Sequence, residues 1–350
     1  MITIKPSISR LSQATHKPLR VLMVTGIYPT EQRPHKGTFI KSQVDSLVAA
    51  GVEVEVLHSE PGPVLLRYIQ TIAQVWQKAR MKQFDIIHGH YGQWCLFTRF
   101  QWWTPVVASF HGSDLLGVPL GNGKFSKLHA LNAHTSRWLC SRVDAVIVQS
   151  EEMSRAAKGE RVFVIPTGVD FELFRPIPRA EARAALGWDQ DRYYILFGND
   201  PTIPLKGFKL GQAAVERLQA KGTPIELIVA NGLPQTRVVQ YLNASNALIL
   251  PSLCEGSPCI VKEAMACNTP VVATNVGDVA EVIGRTQGCS ICRDDPDDLA
   301  AGIERALQHS GPTTGRTDIS HLECSVIAER VIAVYESVLK STMLRSSVQL

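Results

Sequence analysis

Residues 251–274 read PSLCEGSPCIVKEAMACNTPVVAT, with the apolar run NALIL just before them and PVVAT closing them. Between the two runs stands strong helix punctuation. Ser257 suits an N-cap, Pro258 suits the first helical position, and IVKEAMA is mostly helix-favouring. Asn268 can end the helix in a left-handed conformation before Thr269 and Pro270 stop it. The stretch therefore predicts strand, turn, helix and strand, the unit of a parallel sheet. Glu255 falls in the turn and Glu263 on the helix, eight positions later. At such a corner the free N–H groups of the helix start favour an anion, and ligands sit beyond the carboxyl end of the strand. Two carboxylates beside an anion site make sense if they accept hydrogen bonds from sugar or ribose hydroxyls while the helix terminus takes phosphates. The bland alternative is an ordinary crossover with two surface glutamates.

The segment resembles the donor-site signature of family 4 glycosyltransferases, E-x7-E followed by an E-A-M-A run and P-V-V-A. Glu255, Glu263 to Ala266, Asn268 and Pro270 to Ala273 all fit. The resemblance implies the α/β GT-B fold: two Rossmann-like domains with parallel sheets facing across a deep cleft, and a C-terminal helix crossing back to the first domain. It also implies a retaining transfer of a sugar from a nucleotide-sugar to a hydroxyl, in polysaccharide or lipid-linked glycan assembly.

Size and composition agree. A chain of 350 residues with 45% hydrophobic content is long enough for two buried cores. No apolar stretch reaches the ~18 residues of a membrane span. The start, MITIKPSISRLSQATHKPLR, lacks the apolar region of a signal peptide, so the expectation is a soluble protein facing the cytoplasm. Eight scattered cysteines suit reduced thiols. The single C-x-x-C, Cys289 and Cys292, reads as small residues at a strand end rather than a metal or redox pair. Residues 1–170 hold 19 Lys+Arg against 12 Asp+Glu, and the remainder 17 against 20. A diffuse positive excess fits an anionic acceptor or membrane surface and argues against nucleic acid.

In chain order, LRVLMVTGIYP is the first strand. Its loop holds the single glycine Gly37, so neither the dinucleotide nor the P-loop fingerprint applies, which argues against a nicotinamide dehydrogenase. Gly37 resembles the family's loop glycine near the donor phosphates, where a Cβ would obstruct. Val64 to Phe84 predicts a helix with Leu65, Ile69, Ile72, Ala73 and Trp76 on one face and Arg67, Lys78, Arg80 and Lys82 around it. It reads as a sheet-packing helix through that apolar face, with docking on an anionic bilayer as the alternative. FDIIHGH resembles the family's D-x-x-H-x-H, with at most one of His88 and His90 facing the cleft. HGSD places His111 where the family carries a functional histidine, to donate to a sugar hydroxyl or shield developing charge. Asp114 would hold the acceptor or the loop.

RVFVIPTGVDFELFRP resembles the family's crossing between domains, which puts the boundary near Arg175: an acceptor domain over 1–175, a donor domain over 176–325 and a returning helix over 326–350. Residues past Ser341 read as frayed. In the donor domain Lys206-Gly207 matches the family's lysine–glycine pair, so Lys206 would neutralise the pyrophosphate. Asn199 stands where the family often has arginine. Asn231 would approach the nucleoside.

The expected site is therefore His111, Glu255 and Lys206 for catalysis. Gly37, Asn199, Lys206, Asn231, Glu255, Gly256, Ser257, Pro258, Cys259, Ile260 and Glu263 would bind a UDP- or GDP-sugar, and His90 and Asp114 would serve a carbohydrate or lipid-linked acceptor. The resemblance implies neither metal nor cofactor, and no D-x-D suited to a metal is present. Two other readings of the same fold stay open: an epimerase or phosphorylase, and a non-catalytic nucleotide-sugar-binding protein.

Overall fold

The structure, a computed structural model, describes residues 17–59, 63–117 and 127–348. The polar start of the chain, residues 1–16, lies outside the described residues. Two all-parallel sheets carry the fold. The first contains β1 (Arg20–Thr25), β2 (Glu53–His58), β3 (Ile86–His90), β4 (Val106–Ser109), β5 (Ala145–Val148) and β6 (Val162–Val164), in the order β2-β1-β3-β4-β5-β6. The second contains β7 (Tyr193–Phe197), β8 (Ile225–Val229), β9 (Ala247–Leu250), β10 (Val271–Thr274) and β11 (Ser290–Cys292), in the order β11-β10-β9-β7-β8. Their central strands, such as ALIL and VVAT, are buried throughout because helices cover both faces.

The two windings are the same. In each sheet the second strand lies beside the first, and the third jumps back across it. The winding direction therefore reverses between β1 and β3, and again between β7 and β9. These switch points open crevices at the carboxyl ends of the strands, where ligands of such sheets bind. The segment 251–274 leads out of β9 and forms one wall of the second crevice.

The chain divides into two compact units. One holds residues up to Tyr28, Ile40–Pro166 and Ser325 onward, and the other holds Pro29–Phe39 and Thr167–Cys324. The division falls at Pro166, upstream of Arg175, and Gly37 groups with the second unit. The helix Cys324–Val348 belongs to the first unit. It buries Ala328, Val331, Val334, Tyr335 and Val338. The hydroxyl of Tyr335 lies 2.7 Å from His88 Nδ1, and Arg330 donates to Val164 O at 2.7 Å. This helix continues to Val348 rather than ending near Ser341.

The helix Val64–Arg80 overturns the expected facing. It packs on its sheet through Thr71, Val75 and Ala79, with Val75 and Ala79 in one core with Leu22, Val24 and Ile87. Leu65, Ile69 and Trp76 stay exposed. The stripe of smaller residues allows a closer approach to the strands than the bulky face would. Elsewhere the bland readings hold: Asp295 of the DDPDD run caps its helix by accepting from Asp297 N and Asp298 N, and Cys292 lies in the core of the second sheet.

Candidate active site

In the second unit, the loops leaving β7 and β9 meet at the switch point. Gly207 has φ +68°, a conformation favouring glycine, and a Cβ there would run into the carbonyl oxygen of Pro251. Leu253 N donates to Leu205 O at 2.8 Å. This close approach brings Lys206 against Glu255: Nζ lies 2.8 Å from Oε1 and 2.9 Å from Oε2. Ser252 Oγ, almost fully buried, donates to Oε1 at 2.8 Å. The expected phosphate cation and the expected sugar-hydroxyl acceptor are thus partners of one another. Asn199, in the turn after β7, has a buried side-chain nitrogen with no hydrogen-bond partner among the described residues. Asn231, after β8, bonds Asp200.

The next helix runs Cys259–Ala266 and is capped by Pro258, not by Ser257 as the sequence predicts. The hydroxyl of Ser257 is engaged elsewhere. It donates to Asp278 Oδ2 at 2.6 Å and accepts from Lys262 Nζ. Lys262, wholly buried, also pairs with Asp278 at 3.0 Å. The remaining oxygen of Asp278 is buried without a partner among the described residues. Buried charges persist only when paired and hydrogen-bonded, so this trio fixes the loop Glu255–Pro258 against the loop after β10. Sequence reading missed it. The available signal was a lysine inside the otherwise apolar run CIVKEAMA, with an aspartate after β10 to receive it.

Glu263 lies one helical turn into this helix and is half-buried. Loss of water around its carboxyl pushes the pKa up to about 7, with a hydrogen bond from Gln235 opposing the shift. Gly256 and Pro258 are buried, while Cys259 and Ile260 are half-buried beside them. Burial pushes the Cys259 thiol up to about 12, so it stays protonated. Asn268 closes the helix at φ 57°, as expected. Gly37 has φ 72°, which accounts for glycine at that position.

In the first unit, three histidines stack at the carboxyl ends of β3 and β4. His88 and His90 are two apart on one strand and so share a face, with ring centroids 4.3 Å apart. Both are fully buried. His88 is enclosed by Tyr335 and by Ser109 Oγ at 2.7 Å. His90 Nδ1 lies 3.1 Å from His111 Nε2, one ring donating and the other accepting. Burial lowers all three, His88 and His111 to about 3 and His90 well below its ordinary value, so the cluster is uncharged at neutral pH. His111 alone of the three is half-exposed. Asp114 holds the loop: its two oxygens accept from His111 N at 2.9 Å and Gly92 N at 3.1 Å. Burial raises this acid to about 6 against those N–H groups.

The model of Glycosyltransferase Family 4 matches residues 21–173, and that of Glycosyl transferases group 1 matches residues 195–309. The chain belongs to glycosyltransferase family 4. Among relatives, TuaC of Bacillus subtilis, a glycosyltransferase named for teichuronic acid biosynthesis, is 25% identical over 82% of this chain and 89% of its own. The D-inositol 3-phosphate glycosyltransferase of Thermobispora bispora is 24% identical over 79% of this chain and 77% of its own. That of Nocardiopsis dassonvillei is 25% identical over 64% of this chain and 62% of its own. Among solved structures, sucrose-phosphate synthase from Thermosynechococcus elongatus superposes with a TM-score of 0.74 at 17% identity, covering 93% of this chain and 100% of its own. Anabaena HepE in complex with UDP gives 0.64 at 16% identity, covering 92% and 100%. These likenesses establish a family 4 glycosyltransferase with the GT-B pair of parallel sheets.

Proposed function

We propose that this family 4 enzyme transfers a sugar from a nucleotide-sugar to a hydroxyl acceptor with retention at the anomeric carbon. The observation that carries the reading is the Lys206–Glu255 pair, set at the β7/β9 switch point one loop from Glu263. Glu263 holds the ribose and Glu255 the sugar hydroxyls. Lys206 and the N–H groups of Ser257, Cys259 and Ile260 hold the diphosphate, with Gly37, Asn199 and Asn231 completing the donor site. Lys206 then has two partners in turn: the Glu255 carboxylate without donor, and the diphosphate with it. This exchange supplies leaving-group stabilisation that a fixed ion pair would withhold. Chemistry of this kind requires no protein nucleophile, metal or cofactor, because the departing phosphate accepts the acceptor's proton.

The first unit serves the acceptor, a carbohydrate or a lipid-linked one. His111 touches the substrate as a neutral hydrogen-bonding group, oriented by His90, and Asp114 is a positioning residue. In the domain scheme, 1–175 is the acceptor part, 176–325 the donor part and 326–350 the returning helix. Among the described residues the cysteines form no disulfide, which supports a reducing cytoplasmic setting. Among the described residues no helix is long and apolar enough to cross a membrane. The positive excess of residues 1–170 favours an anionic membrane face as a peripheral partner.

The test is a panel of UDP-, GDP- and ADP-sugars offered with and without acceptor, read by donor consumption and by the anomeric proton coupling of the product. Acceptor-dependent turnover with a retained anomeric configuration supports the reading. Turnover without acceptor identifies an epimerase, and binding without turnover identifies a non-catalytic protein. The decisive variant is His111→Ala, which lowers kcat while leaving donor Kd within about threefold, a difference under ~1 kcal/mol.

A further inference from the structure

The apolar face that the helix Val64–Arg80 turns away from its sheet does not stand alone. Leu65 is 72% exposed, Ile69 56% and Trp76 38%. The strip continues from Trp76 to Trp103, whose rings meet edge to face at 5.5 Å, and on to Trp102 at 4.9 Å. Trp102 is 74% exposed. A dedicated frame presents it. Gln101 is fully buried, donates to Thr104 O at 2.8 Å, and accepts from Trp103 N and Thr104 N at 2.9 Å. This loop is ordered by its own polar side chain so that its large aromatic ring points into solvent, the reverse of what burial of apolar surface would select.

Along these two segments the charge has one sign, and the acid that meets them, Glu55 of β2, is taken up by Lys78 at 2.7 Å. No Asp or Glu occurs from Pro61 to Phe84 or from Ile86 to Ser113. Arg80 holds its guanidinium 5.2 Å over the Trp76 ring, and Lys82 and Arg99 stand beside the two aromatic segments. Tryptophan rings with flanking Lys and Arg are the chemistry of a lipid headgroup zone: the ring seats at the boundary of headgroup and acyl chain while the cation meets lipid phosphate. A second copy of this chain is a poor occupant, because stacking two such faces opposes Arg80, Lys82 and Arg99 to their own copies while Glu55 is already paired with Lys78.

We infer that this strip is the surface by which the chain docks on an anionic lipid bilayer. The inference deepens the acceptor side of the function proposed above, and rests on that reading only for the conclusion that the acceptor arrives from the membrane. The helix axis lies along the bilayer, with its Leu65 end at the carboxyl edge of the sheet, the edge that carries His90 and His111. Docking on this flank keeps that edge beside the membrane rather than buried in it.

Sedimentation with vesicles tests it, using phosphatidylcholine alone and phosphatidylcholine mixed equally with phosphatidylglycerol. The expected result is binding to the mixed vesicles only, weakened by salt, with a blue shift of tryptophan emission. Trp102→Ser and, separately, Arg80→Glu each lower the vesicle partition coefficient about tenfold, ~1.4 kcal/mol. Both variants keep the parent's Tm and its affinity for nucleoside diphosphate, which separates failure of docking from failure of the transferase reading. Equal partitioning of parent and variants overturns the inference, as does absence of binding to the mixed vesicles. A concentration-dependent dimer abolished by Trp102→Ser also overturns it, because a second copy would then cover the strip.

Discussion

Lys206 grips both carboxylate oxygens of Glu255 across a sequence gap of 49 residues, and Ser252 holds one of those oxygens from the other side. Removing the cation should therefore be felt at the diphosphate. Lys206→Ala should weaken nucleoside diphosphate binding about 10- to 100-fold, the loss of one charge-assisted contact worth ~1.5–3 kcal/mol. Titration calorimetry with the diphosphate reads this directly. Unchanged affinity would show that another group holds the phosphates.

Glu263 should make stability depend on pH with a definite sign. Its pKa stands at about 7 in the folded chain against an ordinary value of 4.5. The folded state thus keeps a proton that the unfolded state releases. Stability falls as pH rises from about 4.5 to about 7 and is level above that window. Glu263→Gln removes this slope, and the checking measurement is the urea midpoint across the window for parent and variant. The neutral histidines act with the opposite sign: His88 and His111 stand at about 3 against 6.5, so the unfolded chain takes up their protons first and stability falls as pH drops below 6.5. The Glu263 term is therefore isolated as a difference between the two proteins.

Lys262 and Asp278 should couple strongly. Both are buried, so Lys262→Met leaves an aspartate charge without its cation and costs about 3–5 kcal/mol. Asp278→Asn alone strands the lysine. The double replacement should cost less than the sum of the single changes, giving a coupling energy of at least ~1 kcal/mol in urea unfolding. Additive costs would show that the trio with Ser257 does not act as a unit.

Tyr335→Phe should destabilise by about 1–3 kcal/mol, because it leaves His88 Nδ1 buried without its hydroxyl partner. The change touches neither Lys206 nor Glu263. Diphosphate affinity should stay at the parent value while Tm falls, and loss of both would contradict a purely structural role.

Much of the fold is legible in the sequence, for physical reasons. ALIL and VVAT are short, doubly buried runs separated by a punctuated helix, and such runs specify parallel strands without tertiary information. Asn268 as helix terminator and Asp295 as cap are local effects, and both were readable. What failed depended on neighbours far along the chain. The inward stripe of Val64–Arg80 is Thr71, Val75 and Ala79, chosen by the space over Leu22 and Ile87 and not by hydrophobicity. Pairing of Lys206 with Glu255, and of Lys262 with Asp278, depends on loops that meet only in the folded sheet. Ser257 looked like a cap because its spacing is right, yet a buried ammonium competes for its hydroxyl and wins.

The helix Cys324–Val348 also has a bearing on how the chain is made. Its Val331, Val334, Tyr335 and Val338 are buried in the same unit as β1, so β1 waits for a helix made after the whole segment Thr167–Cys324. The intervening unit is contiguous from Thr167 to Cys324 apart from one short loop, and can consolidate while translation proceeds. A nascent polypeptide that has not yet reached Cys324–Val348 would leave His88 without its Tyr335 partner, so the first unit cannot consolidate before the second has been made.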